Sequence, residues 1–457
     1  MKGVIGLYTI ENVARKSLYT LYGVQHRGQE SSGIVAAGDR SIRVWNGSGL
    51  VSRVFDEHYN SFIHPEDYVV IGFASGENTS KGLPPCLIET NKYRIAFVLD
   101  GFIPSSLGES FEDKFSIELT KHLNEGAIEA FSKAMCSLKN AYFSLVAIVN
   151  DREAEKSFLL VARDQRGVRP LHFAVGLDQL VVASESSTVD VLEGMGEVFT
   201  DRRDVTPGTI LTMGDDGIHE ISVLTPNPAT CVFEWVYFAR PDSIIDGQSV
   251  HQVRKRLGHT LVETHKLQKV YGTDKGPNND LSVIPVPDSG RSVTSGVAEA
   301  LGQPADEGII KNAYLGRTYI IDDPQFRKIA SDLKHNVIRS TVKGKYVAIC
   351  DDSIVRGTVS ESVAKSLRKA GATHVDFLVS YAPIFYPCFS DPLDKPLAAK
   401  PFKGKDVEEI GRLVSVGLPS IDNVLYNTPE NIVKAVGLPG KVCMYCITGI
   451  DPFVEEK

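Results

Sequence analysis

The sequence predicts two folded units in series, a layered α+β sandwich followed by an α/β unit on a parallel sheet, and three observations carry that reading. The chain has 457 residues, more than one ordinary hydrophobic core accommodates. Its first half is dense in short β-like runs, whereas its second half alternates strand, loop and helix. Between them stands Thr225-Pro226-Asn227-Pro228, which reads as a linker.

In the first half, the β-like runs are residues 3–8, 33–37, 68–73, 95–99, 143–149, 158–162 and 180–183. Helical periodicity is clearest over residues 113–123 and 127–138. Residues 1–225 are therefore expected to stack antiparallel sheets with helices outside. Past the linker, an apolar strand over residues 281–286 leads into Asp288-Ser289-Gly290 and then a helix on which Val293, Val297 and Leu301 share a face. Alone, Asp-Ser-Gly also reads as a simple turn.

Residues 344–358 (GKYVAICDDSIVRGT) are the most informative stretch. Tyr346 to Cys350 is a short apolar run suited to a parallel sheet covered on both faces. Asp351 and Asp352 follow it, and a tight turn leads into a helix. With Thr358 as N-cap, Val359, Val363, Leu367 and Ala370 recur near helical spacing, Lys365, Arg368 and Lys369 load the last turns, and Gly371 ends the helix. Backbone N–H groups and the helix dipole favour an anion at such a turn. The unit is a candidate sugar-phosphate site, with Asp351 and Asp352 facing ribose hydroxyls or Mg²⁺. A solvated acidic loop in which Arg356 salt-bridges the aspartates has the same pattern.

Hydrophobic content of 42%, charged content of 23% and a formal net charge of −8 describe a soluble globular protein and argue against a nucleic-acid surface. No stretch approaches the roughly 18 to 20 apolar residues of a membrane helix. The expectation is a cytoplasmic protein that binds neither nucleic acid nor membrane. Seven cysteines in a chain this long fit a reducing compartment, as core thiols or metal ligands. Cys443-Met444-Tyr445-Cys446, taken alone, is open between zinc, redox chemistry and no function. Cys86 and Cys136 read as ordinary free thiols, since neither is terminal or in an elbow-like motif. Cys350 reads as a packed core residue.

The wording of residues 344–358 resembles the phosphoribosyl diphosphate (PRPP) motif of type I phosphoribosyltransferases, and more closely that of the amidophosphoribosyltransferase family, which opens purine synthesis. Residues 21–35 (LYGVQHRGQESSGIV), 231–243 (CVFEWVYFARPDS), 286–290 (VPDSG) and 316–320 (GRTYI) match that family's wording in its order, so the resemblance covers nearly the whole chain. It implies a glutamine amidotransferase domain over residues 1–225, an αββα sandwich of the N-terminal-nucleophile type, and an α/β type I phosphoribosyltransferase domain with a C-terminal extension over 231–457. It also implies that Asp351 and Asp352 meet the ribose and Mg²⁺, and that Ser353, Ile354, Val355, Arg356, Gly357 and Thr358 hold the 5′-phosphate. Asp288, Ser289 and Gly290 would form the diphosphate loop, with Ser289 completing the Mg²⁺ surroundings. Lys311, Tyr314 and Arg317 would belong to a mobile loop that excludes water. The chemistry needs no covalent nucleophile: C1 of ribose develops oxocarbenium character, so the departing diphosphate must be stabilised. Three residues depart from the family: Ala313 stands for an arginine, Ile321 for a glutamine and Arg291 for a threonine.

The first half departs further. The family's glutaminase uses a cysteine at the mature N-terminus as nucleophile and its α-amine as base. Lys2 stands there, offering no thiol, and its bulk discourages removal of Met1. Ser75 replaces the arginine that clamps the glutamine carboxylate, and Ser116 aligns with the aspartate that takes the glutamine amine. Asp100, followed by Gly101, replaces the oxyanion asparagine, and a carboxylate cannot stabilise an oxyanion. Glutaminase activity is therefore expected to be lost, leaving an enzyme that forms 5-phosphoribosylamine and diphosphate from PRPP and ammonia. The alternative is a non-catalytic PRPP-binding regulatory subunit of an intact paralogue, which Ala313, Ile321 and Ser390-Asp391 favour. Either reading allows a homo-oligomer or a hetero-oligomer with that paralogue. Finally, the resemblance implies that Cys231 and Cys388 join Cys443 and Cys446 as ligands of a 4Fe-4S cluster, with tetrahedral zinc the alternative for four thiolates.

Overall fold

The computed structural model describes residues 1–56, 58–76, 84–103, 110–272, 278–312, 335–388 and 396–452. Two antiparallel sheets form the first half. One has seven strands, in spatial order Phe199–Asp204, His172–Gly176, Gln179–Ala183, Lys2–Thr9, Val69–Ser75, Ser31–Ala37 and Ile42–Ser48. The other has six, in the order Gly217–Ser222, Thr209–Gly214, Lys156–Arg163, Tyr142–Asp151, Tyr93–Phe102 and Cys86–Glu89.

Strand alternation sends side chains to two faces, and three apolar interfaces result. Val4, Tyr8, Val35 and Phe73 meet Val98, Val146, Leu159 and Val161 between the sheets. On the outer face of the first sheet, Ile5, Leu7 and Val181 pack with Val13 and Leu21 of helix Val13–Gly23 and Val189 of helix Ser187–Glu193. On the outer face of the second, Ile95, Phe97 and Leu99 pack with Phe115 and Leu119 of helix Phe111–His122 and Phe131 of helix Ala127–Ser137. The layers are thus αββα. All seven β-like runs singled out in the sequence are inner strands. The four edge strands lack such runs because an edge keeps polar and charged residues against further pairing, as in the FTDRRD of Phe199–Asp204 and the GIHEIS of Gly217–Ser222.

The proline-rich stretch after Ser222 is tied to the sandwich. The Gln165 side chain donates to the Thr225 carbonyl at 2.8 Å, and the Asn227 and Ala229 amides donate to the carbonyls of Gln165 and Arg166 at 3.0 and 2.7 Å.

Beyond it lies a four-stranded parallel sheet in the order Leu281–Pro285, Tyr346–Asp351, His374–Val379, Asn423–Tyr426. Helices Val250–Thr264 and Arg291–Leu301 cover one face, and Thr358–Ala370 and Val407–Val416 the other. Burial on both faces is what near-continuous apolar strands require. Pro285 lies opposite Cys350, so the loops after these two strands emerge side by side at the carboxyl edge. Val293, Val297 and Leu301 are all buried, as their spacing predicts.

The helix after Asp351 differs from expectation by one residue. Gly357, at φ 83°, is its N-cap and Thr358 its first residue, because the tight turn needs a left-handed conformation that glycine alone adopts freely. Its buried stripe is Ser360, Val363, Ala364, Leu367 and Ala370, which leaves Val359 58% exposed. Gly371, at φ 103°, caps the other end as anticipated.

Candidate functional site

The two adjacent loops meet through side chains. Ser289 Oγ donates to Asp351 Oδ1 at 3.0 Å, and the Asp352 amide donates to the same oxygen at 2.9 Å. Ser353 Oγ donates to Asp352 Oδ2 at 2.5 Å. Gly290 makes this approach possible: a Cβ there would lie 2.1 Å from the Cys350 carbonyl oxygen, which no side chain tolerates. Gly357 is similarly confined by Leu418, 2.8 Å from where its Cβ would be.

Asp351 and Asp352 are each only 6% exposed. Burial, and then the Asp352 charge beside it, pushes the Asp351 carboxyl well above the usual carboxylate range. Two buried acids in contact are unfavourable unless a cation or ligand joins them, which makes the pair a candidate site. Of the six residues predicted to hold a phosphate, Ile354 is 2% exposed and packed in the core, so it can offer only its backbone. Val355 is half-buried, and Arg356 and Thr358 are exposed. Arg254, which the sequence reading did not single out, is buried near Asp352. It donates to the Trp235 and Ala239 carbonyls at 2.7 and 2.8 Å, and burial brings its guanidinium down to about 10.

Outside this pair, Lys311 ends the strand Ile309–Lys311 and places Nζ 2.9 Å from Asp288 Oδ2. Arg291, at the start of its helix, reaches Asp288 Oδ1 at 3.4 Å and also pairs with Glu307. Tyr314 and Arg317, with Ala313, Ile321, Ser390 and Asp391, lie outside the described residues.

In the sandwich, three of the four positions expected from the resemblance to be altered glutamine-site residues converge. Lys2 stands opposite Ser75 across two strands, and its amide donates to Asp100 Oδ1 at 2.9 Å. The Lys2 ammonium pairs with Glu112. Ser116 sits one turn further along that helix, donating to the Glu112 carbonyl at 2.8 Å. Burial would raise the Asp100 carboxyl, but Arg169, the amino terminus and Arg27 hold it below the usual range; Lys2 does the same for Glu112 against its burial. Cys86 is near enough to feel both Glu112 and Lys2, yet burial pushes its thiol up to about 12. A protonated thiol is no nucleophile.

A buried network extends from here to the second half. Arg27, fully buried, donates to both oxygens of Glu234 at 2.9 Å and to Glu185 at 2.8 Å. Arg169 reaches Glu234 at 3.1 Å. Glu185 accepts from Ser243 Oγ at 2.8 Å and from the Arg240 amide at 2.9 Å. Arg27 and Glu234 stand within the family-like wordings of residues 21–35 and 231–243, so a signal existed for both. Glu112 carried none, since its helix reads simply as amphipathic.

The four cysteines lie on three segments distant in sequence, and their thiols influence one another. Cys231 and Cys443 face each other across the two-stranded parallel pairing of Thr230–Cys231 with Val442–Cys443. Cys446 Sγ is 3.1 Å from the Tyr381 hydroxyl. Burial first, and neighbouring thiols after it, push Cys443 up to about 12 and Cys446 to about 11, and Cys388 bears on the other three. All seven cysteines are free thiols. Among the described residues no group of three or more His, Cys, Asp or Glu side chains forms a metal-ion site, and no helix is long and apolar enough to cross a membrane.

No family model matches the chain. It is 33% identical to the amidophosphoribosyltransferase of Methanocaldococcus jannaschii over 496 aligned positions, covering 99% of this chain and 98% of that protein. It is 31% identical to the amidophosphoribosyltransferase of Bacillus subtilis, covering 98% and 94%. Among solved structures, the glutamine PRPP amidotransferase of Bacillus subtilis in complex with ADP and GMP superposes with a TM-score of 0.82 at 29% identity, covering 98% of this chain and 96% of that one.

Proposed function

The chain belongs to the amidophosphoribosyltransferase family, and we propose that it makes 5-phosphoribosylamine and diphosphate from PRPP and ammonia while its amidotransferase half has lost glutaminase activity. This reading takes residues 1–225 as the degenerate amidotransferase domain and 231–457 as the transferase domain with its extension. The observation that carries the transferase is the buried Asp351–Asp352 pair, joined by Ser289 to the neighbouring loop. The glutaminase loss rests on Lys2, whose amide and ammonium are both engaged by carboxylates where a nucleophile and oxyanion donor are needed.

In the reaction, the turn from Ser353 to Thr358 binds the 5′-phosphate through backbone N–H groups and the helix start. Asp351 and Asp352 orient the ribose hydroxyls, and residues 286–290 receive the diphosphate. Ammonia attacks C1 as the C1–oxygen bond to diphosphate breaks; diphosphate leaves with that electron pair, and the new ammonium gives a proton to solvent. Mg²⁺, for which two abutting buried carboxylates are a fitting donor set, would be held by Asp351, Asp352 and Ser289 and would neutralise the leaving charge.

We assign Cys231, Cys388, Cys443 and Cys446 to a 4Fe-4S cluster, which would staple three distant segments and take no redox part in the reaction, with tetrahedral zinc the alternative for four thiolates. We assign the protein to the cytoplasm, acting as a homo-oligomer or with an intact paralogue.

The test is diphosphate release by anaerobically purified protein from PRPP and Mg²⁺ with ammonium or glutamine, glutamate being followed in parallel. Release with ammonium and no glutamate from glutamine is expected. Glutamate formation would overturn the loss of glutaminase. Silence with both donors, with PRPP still bound, would favour a regulatory subunit.

A further inference from the structure

We infer that Arg291 is a diphosphate-binding residue of this chain, a role that rests on reading residues 286–290 as the diphosphate loop. Arg291 follows Gly290 directly, and its amide closes a turn onto the Asp288 carbonyl at 3.3 Å, so its side chain starts at the loop itself. Its guanidinium is shared between two carboxylates, Asp288 at 3.4 Å and Glu307. Lys311 takes the other Asp288 oxygen at 2.9 Å. The side chains of Arg291, Asp288 and Glu307 are 47%, 64% and 46% exposed.

Such open ion pairs hold their partners weakly. A diphosphate carries more charge than a carboxylate and matches the planar fork of a guanidinium, so it competes favourably for Arg291. The four groups, two cations and two carboxylates, are neutral together. An arriving diphosphate would meet repulsion from Asp288 and Glu307 unless the cations turned to it. Arg291 is therefore held beside the loop by carboxylates that it exchanges for the substrate's leaving group.

A purely structural role, tying the loop to the strand Ile309–Lys311, predicts that breaking the Arg291–Glu307 pair from either side has the same effect. Arg291→Met and Glu307→Gln separate the two. Binding of inorganic diphosphate and of PRPP, each with Mg²⁺, is measured by calorimetry on the full chain. Arg291→Met should weaken both about tenfold, the loss of one charge-assisted contact. Arg291→Lys should retain part of the affinity, and Glu307→Gln should bind as tightly as the unaltered protein or more so. Equal behaviour of Arg291→Met and Glu307→Gln, or unchanged binding by Arg291→Met, overturns the inference alone. Failure of the unaltered protein to bind either ligand overturns the diphosphate-loop reading and the inference with it.

Discussion

The buried acids around Lys2 and Arg27 and the buried Asp351 of the parallel-sheet half titrate in opposite directions. In the sandwich, Asp100, Glu112 and Glu185 each meet a cation, and each is held below its ordinary range despite burial. In the parallel-sheet half, Asp351 meets Asp352 and is pushed well above its range. Charges closed upon one another have no call on a ligand, and breaking one of them exposes another. A buried acid beside another acid is costly by itself, and it persists where a ligand compensates. On the proposed function, the difference separates carboxylates that serve the fold from a pair arranged for chemistry.

One exchange made in both halves gives the largest contrast. Asp351→Asn should lower ammonium-dependent diphosphate release by at least about a hundredfold, because it removes charge from the centre where the transition state is stabilised. Asp100→Asn should leave that rate within about twofold. Assays of the two variants side by side decide it: comparable losses would mean that the sandwich still serves the transfer reaction.

The next contrast concerns the nucleophile. Lys2→Cys restores a thiol but leaves Glu112 buried without its cation, Asp100 where an oxyanion donor is needed, and Ser75 unable to clamp a carboxylate. No glutamate should form from glutamine, and the variant should lose about 2 to 3 kcal/mol of stability in denaturant unfolding. Glutaminase activity from this single change would show that the site is merely missing one atom group.

How much of this was legible in the sequence follows from what each feature depends on. Inner strands such as residues 143–149 and helices such as Arg291–Leu301 were readable because burial on both faces, or on one stripe, writes a local pattern. Edge strands write none. The Asp351 and Asp352 loop was readable because its residues are contiguous, whereas the Lys2–Glu112 pair spans 110 positions and leaves no local trace. Arg291 could be marked as unusual, and Asp288 lies only three residues before it, but Glu307 becomes its partner only when the loop and the approach to strand Ile309–Lys311 come together. The cap falls at Gly357 rather than Thr358 because the turn takes a left-handed backbone angle, and that angle is set by the turn and not by the side-chain type favoured at a helix start.

The smallest effects test the comparison through its sign. Glu185 falls to about 2 in the folded protein: burial opposes this, and His26 and Arg27 outweigh it. A depressed carboxylate contributes stability above its unfolded value, near 4.5, and that contribution is lost as pH falls from there through about 2. Asp351, raised instead, favours folding below its unfolded value of about 3.8 and loses that contribution as pH rises through its folded value. At pH 7 without Mg²⁺, Glu185→Gln should therefore cost about 3 kcal/mol, leaving Arg27 short of a buried partner. Asp351→Asn should stabilise by about 1 kcal/mol, as relief of an active-site strain commonly does. At pH 3 both differences should shrink, because the unaltered protein has begun to lose the Glu185 contribution and has regained that of Asp351. Thermal unfolding at the two pH values measures this. Shifts of the same sign for both substitutions at pH 7 would mean that the two sets of acids are held alike, and the division between a structural half and a chemical half would fall.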